Sequence, residues 1–184
     1  MPAGGTGLVL RGLRKEPATI GKWHLGWDLT YKEGKAKTVD NIDFTKRVAN
    51  GPTDRGFDYF YGLTSPSGPP HLYMVNDMAE KQPNTRFEES GGGLYKIKGG
   101  IGHSDWSADG MQPHLADKML EYLDENKDSD KPFFLYMALT APHIPLFPSK
   151  EFKGKSKIGD YGDLVMMIDD IVGRVNRKLK EIGK

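Results

Sequence analysis

The sequence contains no cysteine. That excludes a disulfide framework, a thiolate metal site and a thiol nucleophile, and it leaves the redox compartment unreadable. An excess of one charge is missing too. With 26 Lys and Arg against 25 Asp and Glu, the formal net charge is +1, so no global field draws the chain to nucleic acid or an anionic membrane. No apolar run approaches the ~20 residues that span a bilayer. The opening stretch MPAGGTGLVLRGLRK lacks the basic start, unbroken apolar segment and small-residue cleavage site of an export signal. As written, the chain reads as soluble and not exported, and its compartment stays undetermined.

Apolar residues are sparse at 37%, whereas 23 glycines and 12 prolines point to a loop-rich architecture. A length of 184 residues suits one domain or slightly more. A partial domain has the same composition.

Leu8, Leu10 and Leu13 give residues 6–15 a weak helical pattern, cut by Pro17. Residues 18–25 read as a short strand with Gly21 inside and Gly26 at its end. Residues 30–113 are mostly connection, rich in turn signals such as SPSGPP, and this is where ligand-facing loops belong. Within them NTRFEESGGGLYKIKGG reads as an exposed hairpin around three glycines.

Two helices follow. Met111, Leu115, Met119, Tyr122 and Leu123 recur at helical spacing, and the polar run DENKDSDK closes that segment before Pro132. Leu164, Val165, Ile168, Ile171, Val172, Val175, Leu179 and Ile182 form the stripe of a second helix. Its acidic start (Asp160, Asp163) and basic end (Lys178, Lys180, Lys184) suit the helix dipole, and Gly183 is the expected stop. Between them Phe133 to Leu139 is a continuous apolar run of strand length, the pattern of a strand covered on both faces. It leads into a loop with His143 between Pro142 and Ile144-Pro145. This order predicts an α/β fold with a mostly parallel sheet, whose ligands bind beyond the carboxyl ends of the strands.

The stretch IGKWHLGWD sets Lys22 and His24 two residues apart. If residues 20–25 are extended, both project to one face, and an ammonium beside an imidazole suits an anion. Flanking glycines let a ligand approach the backbone. Spacing alone also admits a surface lysine and a packing histidine. His143, in a proline-flanked loop after a buried strand, is a further candidate. His71 and His103 lie in loops able to line a pocket, whereas His114 sits on the first helix, where solvent exposure is expected. No H-E-x-x-H or paired-histidine metal spacing occurs.

Four segments occur in an order that resembles the sulfatase family: GKWHLG, RGFDYFYG, PFFLYMALTAPHIP and YGDLVMMIDDIVGRVNRKLKEIG, spread over residues 18–183. The resemblance implies an alkaline-phosphatase-like α/β fold and hydrolysis of sulfate monoesters, with sulfated glycans the commonest substrates. It implies a formylglycine nucleophile on a calcium ion held by Asp and Asn side chains. It implies also that Lys22 binds a sulfate oxygen, that His24 contacts the formylglycine hydroxyl, and that His143 lies near the leaving-group oxygen. Family members are often periplasmic, secreted or lysosomal.

The departures are equally specific. No C-x-P-S-R type signature and no S-x-P-x-R occurs, and neither the Asp pair of a first strand nor the later Asp-Asn pair is found. The sequence therefore reads as a single partial sulfatase catalytic domain over residues 1–184, a central fragment without nucleophile or calcium ligands and inactive by itself. Uncovered sheet edges predict a chain that is either marginally stable or a homo-oligomer. The competing reading is a non-catalytic anion-binding or interaction module derived from a sulfatase. A phosphate or phosphonate ester hydrolase of the same superfamily is a third, against which GKWHLG argues.

Overall fold

Ala18 and Ile20, alternate residues of a β-branched and apolar run, point to one side of strand β1 (Glu16–Lys22), and both are fully buried. β1 lies between β2 (Tyr59–Leu63) and β7 (Phe133–Ala138), parallel to both. Beyond β2 the hairpin of β3 (Met74–Val75) and β4 (Met78–Ala79) continues the sheet antiparallel, giving the order β4-β3-β2-β1-β7. The β2-β1-β7 end of the sheet is thus parallel and the β3–β4 end is antiparallel. The computed structural model describes residues 16–184. The helical pattern read over residues 6–15 lies outside them.

Helix α1 (Met111–Glu125) lays Met111, Leu115, Met119 and Leu123 on Ala18, Ile20, Tyr61 and Leu63. Burying a side chain of this size contributes about 1.5–3 kcal/mol. Helix α2 (Asp160–Glu181) packs against the same core through Leu164, Met167, Ile171 and Val175. Its first turn is fixed by fully buried Asp163, whose carboxylate accepts from the backbone N–H of Gly154 at 2.7 Å and Ser156 at 2.6 Å. Gly183 ends it with φ 71°, as expected.

On the opposite face the described residues place a loop. Trp23, Phe60, Leu72 and Met74 are covered by Ile42, Phe44 and Val48 from the long connection after β1. The glycine hairpin forms as β5 (Thr85–Phe87) against β6 (Gly100–Gly102), with Thr85 opposite Gly102 and a 3-10 turn at Gly93–Tyr95. Among the described residues no helix is long and apolar enough to cross a membrane.

β7 corrects the expectation of a strand covered on both faces. Phe133, Leu135 and Met137 pack on the helix side, but Phe134 and Tyr136 are 38% and 52% exposed. An unbroken apolar run does not reveal that the strand lies at the edge of the sheet formed by the described residues, with one face open among them.

Candidate functional site

Lys22 is the last residue of β1. The preceding Gly21 pairs with Gly62 of β2 on one side and with Ala138, the last residue of β7, on the other. Gly21 adopts φ 134°, and a Cβ there would run into the carbonyl of Ala138, just as one on Gly62 would run into the carbonyl of Gly21. Close strand approach, rather than ligand approach, is what requires glycine at position 21.

The strand expected over residues 18–25 stops at Lys22, so strand alternation does not extend to His24. Trp23 N–H still donates to Leu63 O at 2.9 Å, but its buried indole turns back to donate to Gly26 O at 3.1 Å, and Gly26 takes φ 93°. Lys22 is half-buried and His24 is exposed.

His143 stands in the loop after β7. Its N–H donates to Thr140 O at 3.1 Å. The ring Nδ1 lies 2.5 Å from Ile144 O; a carbonyl only accepts, so Nδ1 carries the proton and Nε2 is left for other partners. The loop is pinned at both ends. At its start the Gln112 side-chain amide donates to the hydroxyl of buried Thr140, and at its end Leu146 N–H donates to Leu94 O at 2.8 Å, at the hairpin tip. The segments bearing Lys22, His24 and His143 therefore leave two adjacent parallel strands at one level of their carboxyl edge. That is where ligands of such sheets bind.

The other histidines divide differently. His71 is buried between the rings of Phe87 and Trp106, with Nε2 donating to Lys98 O at 2.8 Å, and burial lowers its pKa. His114, expected to face solvent, is instead half-buried: Nε2 lies 2.7 Å from the Tyr61 hydroxyl, whose own proton goes to Glu80 Oε2 at 2.7 Å. Burial pushes His114 below its ordinary value, against the opposing pull of Glu80, and both burial and Glu80 push the Tyr61 hydroxyl far up. The expectation failed because helical periodicity does not show that the face of α1 beside His114 meets β2. His103 lines a cavity with His114, as its loop position allowed.

A sequence profile of the sulfatase family matches residues 9–184. The chain belongs to the sulfatase family. It is 30% identical over 178 residues to an N-acetylgalactosamine-6-sulfatase of Sus scrofa, an alignment covering 95% of this sulfatase chain and 29% of that protein. It is 25% identical over 195 residues to an N-acetylgalactosamine-6-O-sulfatase of Bacteroides thetaiotaomicron, covering 89% of the chain and 36% of that protein. The chain thus spans roughly a third or less of these relatives' length. The PsFucS1 sulfatase from Pseudoalteromonas superposes with TM-score 0.64 at 22% identity, over 96% of this chain and 34% of that one. A structure from work on glycosaminoglycan metabolism by Bacteroides thetaiotaomicron superposes with TM-score 0.72 at 20% identity, over 95% of this chain and 41% of that one. The architecture is accordingly a portion of the alkaline-phosphatase-like sulfatase fold.

Among the described residues of the sulfatase chain no group of three or more His, Asp or Glu could hold a metal ion. Sequence reasoning missed Gln112 and Thr140 altogether. The one legible sign was a polar residue beside Met111, on the stripe that carries Leu115 and Met119.

Proposed function

We propose that these residues supply one wall of the active site of a sulfuric ester hydrolase acting on sulfated glycans, as the names of its N-acetylgalactosamine-6-sulfatase relatives suggest. The observation that carries the reading is the shared level at which β1 and β7 release Lys22 and the His143 loop. In this reading Lys22 binds a sulfate oxygen and offsets charge that grows as the ester bond breaks. His143 offers Nε2 to the leaving-group oxygen and, as imidazolium, supplies its proton. His24, on the same edge, would contact the nucleophile's hydroxyl in the complete enzyme. The sequence holds no cysteine and no S-x-P-x-R to furnish that nucleophile, so the 184 residues alone release no sulfate.

The test compares the 184-residue chain with a product extended through the reading frame on both sides, each given N-acetylgalactosamine 6-sulfate and an aryl sulfate. Sulfate release by the extended protein, absent from the short chain and lowered about 10²–10³-fold by Lys22→Ala, is the expected result. Turnover by the short chain, or an extended protein that binds sulfate without releasing any, would replace this reading with another; the second outcome favours a non-catalytic anion-binding module.

A further inference from the structure

A cavity of about 190 Å³ lies where the β3–β4 hairpin meets the first turns of α1. Two of its walls are rings, Tyr73 and Trp106, both buried. Tyr73 stacks on His114 with centroids 4.3 Å apart and on Tyr61 at 5.7 Å. Around these rings stand two cations, Lys81 and Lys118, and two carboxylates, Glu80 and Asp105, so the lining carries no net formal charge.

The hydrogen-bond inventory shows what is left over. Lys81 is paired with Asp105. The Tyr61 hydroxyl has one proton and gives it to Glu80, so His114 Nε2 must donate to the Tyr61 oxygen, which leaves His114 Nδ1 as an acceptor. Tyr73 is only 5% exposed, yet its hydroxyl donates to no described residue. A hydroxyl so placed commonly has a partner, and here the open space beside it is the cavity. Cations and carboxylates in equal number, without net charge and beside two aromatic rings, match a neutral polyol. A sulfate ion would find each lysine already beside a carboxylate, Lys118 with Glu121 at 2.9 Å.

We propose that this cavity is a carbohydrate pocket for one unsulfated pyranose unit, bordered by Tyr73 and Trp106, with its hydroxyls held by Tyr73, Glu80 and Lys118. The choice of sugar rests on the glycan reading above; the pocket is separate from Lys22, His24 and His143.

The chain has five histidines, so their imidazole NMR signals, assigned by single His→Gln variants, report each site separately. The 184-residue protein is titrated with N-acetylgalactosamine and, independently, with sodium sulfate. The sugar is expected to move the His103 and His114 signals with a dissociation constant on the order of 1–10 mM, the range for so small a ligand. Tyr73→Phe, with unchanged circular dichroism, is expected to weaken that binding about 3–10-fold, the loss of one hydrogen bond. Lys118→Met, which removes another of the proposed binding groups at the cavity wall, supplies a second variant with the same expectation should Tyr73→Phe disturb the core. The proposal is overturned if the sugar leaves His103 and His114 unmoved, if sulfate moves them equally, or if both variants bind like the parent. Sugar that moves only His24 and His143 overturns the pocket and spares the edge site. Sulfate that fails to move His24 and His143 counts against the edge site and spares the pocket.

Discussion

The amide of Gln112, in the first turn of α1, donates to the hydroxyl of Thr140, which begins the loop of His143. Both residues are buried, and the other amide atom of Gln112, Oε1, has no partner in the described structure. This contact fixes the start of a candidate catalytic loop to the helix that covers the core.

Removing one partner strands the other, whereas removing both together does not. Gln112→Ala and Thr140→Val are each expected to cost about 1–3 kcal/mol. The Gln112→Met/Thr140→Val pair should fall short of the sum by about 0.5 kcal/mol or more. Denaturant unfolding of the four proteins measures the coupling, and strict additivity would show that the two side chains do not depend on each other.

Stability should fall as the solution is acidified below neutrality. His71 and His114 are both held below the ordinary 6.5 by burial. The unfolded chain therefore takes up protons first as pH drops, and the stabilisation is complete above about 6.5 and lost below it. Tyr61, Tyr73, Glu80, Asp117, Lys118 and Glu121 surround or influence His114. Each histidine contributes at most about 1.4 kcal/mol per pH unit. His114→Gln, which keeps a donor for Tyr61, should flatten the slope of Tm against pH between 7 and 5; an unchanged slope would assign the effect elsewhere.

Gly21→Ala should be among the costliest small substitutions in the chain. It asks alanine to hold φ 134° and drives a methyl into the Ala138 carbonyl. The backbone strain alone costs about 1–3 kcal/mol, before β1 and β7 are forced apart. Gly34→Ala, also at positive φ but with open space around it, isolates the strain from the clash. Equal losses at the two positions in urea unfolding would mean that strand approach contributes nothing.

The open face of β7 is expected to drive self-association of the 184-residue chain. Phe134 and Tyr136 are exposed there, and the outer edge of β7 pairs with no described strand. Burying each ring contributes about 1.5–3 kcal/mol, so Phe134→Lys with Tyr136→Lys should raise the dimer dissociation constant about a hundredfold or more. Sedimentation velocity over a concentration series reads this directly. A parent that stays monomeric at every concentration would remove the expectation.

Local pattern alone located both long helices, because Met111, Leu115 and Met119, and then Leu164, Ile171 and Val175, repeat at the helical period that buries one face. It located the glycine hairpin, because three consecutive glycines between extended segments leave few alternatives, whereas for Lys22, His24 and His143 spacing left a packing role open and resemblance to the sulfatases made them site candidates. What it could not reach were matters of contact between distant segments. The end of β1 at Lys22 depends on the indole of Trp23 turning back onto Gly26. The burial of His114 depends on a tyrosine in another strand, and the open side of β7 on which strands lie beside it. Periodicity records which face of an element seeks shelter, since that preference resides in each side chain; only the folded chain decides which neighbour provides it, since that depends on segments far apart in sequence.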